Sequence, residues 1–272
     1  MLVANNPIQN QIRFLTPASV QPHKPLFAFL PGMDGAGHLL QWQINQGLAD
    51  AFDIRCLAIP PDDLSTWDVL TDKVAELLLA ELDNGDRRRL VYLCGESFGG
   101  CLALKLATLV PCPIDRLILV NPASCFNRRP WMQWGSYMTG ILPPTFYPLA
   151  VMGFWPFLAS LGRIARTHAQ DLLAAMQAVS QQTSAWRVAL MREFEIGKTQ
   201  LRRIPQPALV IASGHDSILS SLEESQRLTQ YIPNAKRVVL PESGHTCLLE
   251  TDVNLYAILK EQDFLPGDES VA

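Results

Sequence analysis

The sequence predicts an α/β fold, a mostly parallel central sheet flanked by helices with an inserted apolar helical lid, and three observations carry that expectation. Short apolar runs recur, each stopped by Gly, Pro or Asn-Pro; stretches of helical periodicity separate most of them; and one long uncharged, aromatic-rich segment interrupts the alternation.

In chain order, Leu26–Leu30 stops at Pro31-Gly32 and Ile54–Ile59 at Pro60-Pro61, so both read as buried strands. Leu90–Cys94, Leu117–Val120, Ala208–Ala212 and Arg237–Leu240 repeat the pattern and bring the strands to six. Between them, Leu70, Val74, Leu77 and Leu78 recur at i, i+4, i+7 and i+8, with Ser65 or Thr66 available as an N-cap. Phe98–Val110, Leu222–Tyr231 and Leu248–Lys260 read as further helices. With 272 residues, 48% of them hydrophobic, the chain can bury a substantial core, and one domain over 1–272 is expected.

The interruption lies between the fourth and fifth strands. No residue from Pro130 to Gly162 is charged, while Trp131, Trp134, Tyr137, Phe146, Tyr147, Phe154, Trp155 and Phe157 crowd together. Its length would suffice for a membrane-spanning helix. Pro143, Pro144, Pro148 and Pro156 argue against one, because each removes a backbone donor where no water could replace it. An apolar lid, inserted at approximately 123–204 and continuing into a helical stretch from Arg163 to Glu195, is the better account. Trp131, Trp134, Phe154 and Trp155 are its candidate substrate-binding residues, weighed against ordinary core packing of the same aromatics.

A net charge of −4 supplies no basic excess to neutralise a phosphate backbone, so nucleic acid is not an expected partner. The six cysteines form no C-x-x-C pair and several sit inside apolar runs, which fits a reduced, cytoplasmic setting. The first twenty residues lack a basic stretch followed by an apolar one, so no signal peptide is expected and the mature protein should begin near Met1. The lid offers a peripheral contact with a membrane.

The chemistry centres on Gly95-Glu96-Ser97-Phe98-Gly99. This G-x-S-x-G pattern lies between a strand and a helix, the context in which a sharp turn exposes a serine hydroxyl. Ser97 should adopt a strained backbone conformation, with the small neighbours Gly95 and Gly99 letting strand and helix approach. A serine hydroxyl is a weak nucleophile until a base takes its proton. Of five histidines, His245 stands in a loop directly after the last strand; His23, His38, His168 and His215 read as surface or packing residues. Asp216 follows the strand Ala208–Ala212 and is the candidate carboxylate that orients the imidazole. Glu96 is a rival by adjacency, read as a neighbour of the site. The order Ser97, Asp216, His245 is that of α/β-hydrolases. Two backbone N–H groups, those of Met33 and Phe98, are assigned to the oxyanion of a tetrahedral intermediate. Gly35-Ala36-Gly37 lacks both the dinucleotide-binding spacing and a Walker lysine, so no cofactor is expected, nor any metal.

Pro25–Gly37, Phe52–Pro60, Val91–Leu104 and Leu117–Pro122 resemble the hydrolase part of the phytyl ester synthase and diacylglycerol acyltransferase family of chloroplasts and cyanobacteria, over roughly residues 25 to 250. That resemblance implies an α/β-hydrolase fold, transfer of acyl groups between lipids and long-chain alcohols such as phytol, and the serine, acid and histidine at Ser97, Asp216 and His245. The plant enzymes also carry an acyltransferase-like region with an H-x-x-x-x-D motif, which does not occur here. The leading expectation is therefore a serine hydrolase acting on carboxylic esters of long-chain or lipid-like substrates through an acyl-Ser97 intermediate. Acyl transfer to phytol or another lipid alcohol uses the same residues. A thioesterase reading is lowered because Asn121, where many assembly-line thioesterases place their acid, is no carboxylate. A non-catalytic lipid-binding protein on this fold is the alternative from another class, and intact candidates at all three positions weigh against it.

Overall fold

The computed structural model describes residues 11–83, 89–128, 143–158 and 162–267. Seven strands, β1 (Arg13–Leu15), β2 (Leu26–Leu30), β3 (Asp53–Ala58), β4 (Val91–Glu96), β5 (Arg116–Val120), β6 (Ala208–Ser213) and β7 (Ala235–Leu240), form one sheet in the order β1-β3-β2-β4-β5-β6-β7. β1 pairs with β3 antiparallel and every other neighbouring pair is parallel. The six apolar runs all lie in this sheet. β1 is an addition to them: three half-buried residues on the sheet edge carry neither an apolar run nor a full period of alternation.

Parallel strands need crossovers, and those crossovers cover both faces. One face, with Leu26, Ala28, Leu30, Leu93 and Leu117, packs on α1 (Trp67–Asp83) and α2 (Phe98–Ala107) through Leu70, Val74, Leu102 and Leu106. The other, with Phe27, Phe29, Ile54, Cys94 and Ile118, packs on Leu40, Ile44 and Leu48 and on α7 (Leu255–Glu261). Burial on both sides explains why β2 to β6 read as apolar runs; β7, expected to be buried like them, lies on the sheet edge and has no buried residue. The other long helices among the described residues are α3 (Tyr147–Leu158), α4 (Arg166–Ala178) and α5 (Gln181–Glu193), all between β5 and β6, and α6 (Ser221–Tyr231) between β6 and β7.

Several helices stop or break where side chains compete for the backbone. The helical stretch expected from Arg163 to Glu195 is two helices, because Ser180 Oγ accepts the Thr183 N–H at 3.1 Å and starts α5 afresh. The closing helix expected over Leu248–Lys260 is a 3-10 turn at Cys247–Leu249 followed by α7, which Asn254 Oδ1 caps by accepting the Ala257 N–H at 2.9 Å. The helix after the elbow ends at Ala107, three residues before the expected Val110.

The chain passes from β2 outward to β3 and then back across β2 to β4. Their carboxyl ends therefore bound the crevice at which the strand order reverses, the place where open α/β sheets bind ligands. Leu30 is paired in register with Gly95, which sets the Pro31–Gly37 loop beside Ser97.

Candidate active site

Ser97 links β4 to α2 with φ 51° and ψ −111°, a region sparsely populated by residues with a Cβ. Its N–H donates to Val120 O at 3.0 Å and its carbonyl accepts from Gly100 and Ala123, each at 3.0 Å, so three backbone hydrogen bonds hold the turn. A Cβ at Gly95 would collide with Gly99 O, and one at Gly99 with Leu30 O. Only glycine lets α2 start this close to β2 and β4.

Ser97 Oγ lies 2.9 Å from His245 Nε2, and His245 Nδ1 lies 2.8 Å from Asp216 Oδ2. The His245 and Asp216 side chains are 5% and 1% exposed. Asp216 is anchored in turn: Oδ1 accepts the Ile218 and Leu219 N–H groups, each at 2.9 Å, and Oδ2 accepts from Ser221 Oγ. Burial alone would raise the Asp216 carboxyl, but the charge of His245 and these hydrogen bonds hold it below the usual carboxylate value. Burial likewise opposes a charged His245, yet Asp216 and, more weakly, Glu96 carry the imidazole above its ordinary value. The arrangement can take a proton from Ser97 and hold it on the ring.

The loop after β2 lies against the same serine. A Cβ at Gly32 would stand 3.9 Å from Ser97 Cβ, and the Gly35 N–H closes a turn on Gly32 O at 3.0 Å around Met33 and Asp34. Across the crevice Phe98 opens α2, where backbone N–H groups have no partner within the helix. Met33 thus lies in the loop after β2 whose Gly32 adjoins Ser97, and Phe98 follows Ser97 directly at the start of α2. Burial pushes the Glu96 carboxyl up to about 7, Asp34 adding to the rise and His245 opposing it. Asp34 is itself raised by burial, its Oδ2 accepting the Ala36 N–H at 2.9 Å.

The other histidines stand elsewhere. His168 meets Leu249 O at 3.2 Å and its ring is tilted against that of Trp42 with centroids 4.4 Å apart, while His215 is exposed, 3.9 Å from Glu242. Among the expected lid residues, Trp131 and Trp134 lie outside the described residues, and of Phe154 and Trp155 the structure describes the helical backbone of α3. Among the described residues no group of three or more His, Cys, Asp or Glu could hold a metal ion, and no helix is long and apolar enough to cross a membrane. None of the six cysteines is joined in a disulfide among the described residues.

Three side chains around the site carry no motif. Asn121, at φ 42°, donates from Nδ2 to Ser213 Oγ at 2.8 Å and His245 O at 2.7 Å, and accepts the Ser213 N–H at 2.8 Å. It fixes the backbone that carries the imidazole; its place at a strand end before proline is the one signal the sequence offers. Glu250, fully buried, accepts the Gly244 N–H at 2.8 Å and Arg163 Nε at 2.9 Å. Arg187, on α5, donates to Met33 O at 2.5 Å and Pro60 O at 3.0 Å.

A family model described as "Alpha/beta hydrolase family" matches residues 27–257. Phytyl ester synthase 1, chloroplastic, of Arabidopsis thaliana is 32% identical over 259 residues, covering 87% of this chain and 36% of that protein. Phytyl ester synthase 2, chloroplastic, of the same plant is 29% identical over 271 residues, covering 88% and 37%. The resemblance read at Pro25–Gly37 and Val91–Leu104 thus extends along most of the chain, which spans about a third of the length of these relatives. Among solved structures, MGS-M2, an alpha/beta hydrolase enzyme from a Medee basin deep-sea metagenome library, superposes with a TM-score of 0.74 at 16% identity, over 96% of this chain and 97% of that one.

Proposed function

We propose, because this chain belongs to the alpha/beta hydrolase family, that it is a serine esterase for carboxylic esters with a long apolar acyl or alcohol part. The observation that carries the reading is the 2.9 Å and 2.8 Å relay from Ser97 through His245 to Asp216, on a serine held at φ 51°. Ser97 Oγ attacks the ester carbonyl carbon while its proton passes to His245 Nε2. The imidazolium is stabilised by Asp216, and the oxyanion is met by the N–H groups of Met33 and Phe98. His245 then returns the proton to the departing alcohol, leaving acyl-Ser97 for water to hydrolyse. Incubation with a fluorophosphonate should label Ser97, and Ser97→Ala should lose about 10⁴–10⁶-fold in kcat on a long-chain p-nitrophenyl ester. An unlabelled protein, or an equally active variant, would sink the reading; fatty-acid binding with no turnover would favour a non-catalytic lipid carrier.

A second acceptor is favoured by the relatives, whose names make them phytyl ester synthases. In that reading a lipid alcohol intercepts acyl-Ser97 in place of water. Product analysis with a long-chain acyl ester and added phytol decides: free fatty acid alone at every phytol concentration refutes transfer.

The apolar end of the substrate suggests where it is delivered. Phe146, Leu149, Met152 and Phe157 are each more than half exposed and recur at helical spacing along α3 and the turn before it. We assign this face to a lipid surface. Leu149→Ser with Met152→Ser should weaken co-sedimentation with phosphatidylcholine vesicles and leave hydrolysis of a short, water-soluble ester unchanged. Equal sedimentation of variant and parent would refute the assignment.

A further inference from the structure

We infer that Arg187 is a positioning residue: from the helix that follows the apolar segment, it clamps the loop carrying the proposed Met33 oxyanion donor against Ser97. The inference rests on the esterase reading and names a residue that neither the serine elbow nor the three-residue relay contains.

The geometry is that of a fork between two strand-end loops. Nη1 donates to Met33 O at 2.5 Å, in the loop after β2, and Nη2 donates to Pro60 O at 3.0 Å, in the loop after β3. Arg187 is 2% exposed, so neither bond competes with bulk water. The guanidinium lies over Gly35, where a Cβ would stand 2.7 Å from Nη1, and Gly35 itself sits at φ 68°. Glycine there leaves room for the arginine as well as the turn. The loops are tied to each other beside it, the Ile59 N–H donating to Gly35 O at 2.8 Å. Trp186 and Trp67 secure the helix: Trp186 Nε1 donates to Ser65 O at 3.0 Å, and Trp67 Nε1 to Leu190 O at 2.8 Å.

The bond to Met33 O fixes the peptide plane next to the one whose N–H is the proposed donor. An oxyanion hole stabilises charge only if its dipoles are already aimed when the charge appears. A loop free to rotate by one peptide would bind the ester ground state much as before and stabilise the tetrahedral state less. Burial pulls the guanidinium below its ordinary value, while Asp34 and Asp63 pull it up, so two carboxylates near the loop accompany the buried cation.

The test uses the full chain with Arg187→Met and Arg187→Lys, each checked for folding by its melting curve. On a long-chain p-nitrophenyl ester, Arg187→Met should lose about 100-fold in kcat with KM within about threefold, the signature of a misplaced transition-state donor. Arg187→Lys should lose less, since an ammonium keeps the charge but cannot span both carbonyls as a fork. A long-chain trifluoromethyl ketone supplies a second readout. Ser97 Oγ bonds to its carbonyl carbon, the π pair moves to oxygen and the serine proton moves to His245, so its affinity reports the oxyanion; that of the matching secondary alcohol does not. Both variants should weaken the ketone far more than the alcohol. A kcat within twofold of the parent, a loss confined to KM, or equal weakening of both inhibitors would overturn the inference. If Arg187→Met fails to fold, Arg187→Lys and the inhibitor pair decide it. A parent chain that fluorophosphonate does not label at Ser97 overturns the esterase reading instead; a labelled parent with unaffected variants overturns only the clamp.

Discussion

At the elbow, backbone meets backbone: Gly95 and Gly99 bring β4, α2 and the end of β2 so close that a single methyl group would strike a carbonyl oxygen. Between β5 and β6 the ties to the same strand-end loops are made differently, several of them by long side chains. Arg187 reaches the Met33 loop, and Arg163 reaches the His245 loop through Glu250. Leu158 O adds a backbone bond there, accepting the Thr246 N–H at 3.0 Å. A geometry set by backbone contact is fixed by residue size and leaves a short pattern in the sequence. One set by long side chains can be made from a distant helix and leaves none.

Four experiments press on that difference, beginning with the relay that both regions serve. Asp216→Asn keeps the shape but replaces the acceptor that orients His245 Nδ1–H, and kcat should fall about 10⁴-fold with the melting temperature little changed. A loss below tenfold would mean that the surrounding loops hold the ring without the acid. Next, Gly99→Ala should destabilise the chain by about 3 kcal/mol, since the clash with Leu30 O is with backbone and cannot be relieved by a rotamer change. Urea denaturation measures it, and a loss under about 1 kcal/mol would show that the elbow is looser than its contacts imply.

On the side-chain side, Arg163→Met leaves the buried Glu250 carboxylate with the Gly244 N–H and without its cation. The cost should be about 1–2 kcal/mol, below that of breaking a fully buried pair, because Arg163 is itself 30% exposed. The smallest effect concerns pH. In the proposed esterase His245 must be neutral to accept the serine proton, and its value is raised above the ordinary 6.5, so kcat/KM should rise with pH through a midpoint above 6.5. Glu96 contributes to that rise, so Glu96→Gln should move the limb toward lower pH. A limb that stays in place, or moves up, would detach Glu96 from the site.

Much of the sheet was legible because β2 to β6 are buried on both faces and the runs end at Pro, Gly or Asn. The antiparallel β1 was not, being three half-buried edge residues, and the helix break at Val179-Ser180 depended on one serine choosing a backbone N–H over solvent. Ser97, Asp216 and His245 could be picked out as strand-end residues in one chain order, and the fold brings them within hydrogen-bonding distance. Asn121 and Arg187 could not. Asn121 acts on the far side of the imidazole's own backbone, and Arg187 lies 154 residues from the carbonyl it holds.

By itself the sequence determined the fold class, the elbow and the identity of the three polar residues at its rim. Each of those follows from local rules: apolar runs of strand length, glycines where only glycine fits, and a nucleophile that needs a base. Only the tertiary structure decided which side chains hold the rim in place. Those contacts pair residues far apart in the chain, and an arginine on a helix reads as a solvated charge until the fold closes over it and leaves two carbonyl oxygens as its partners.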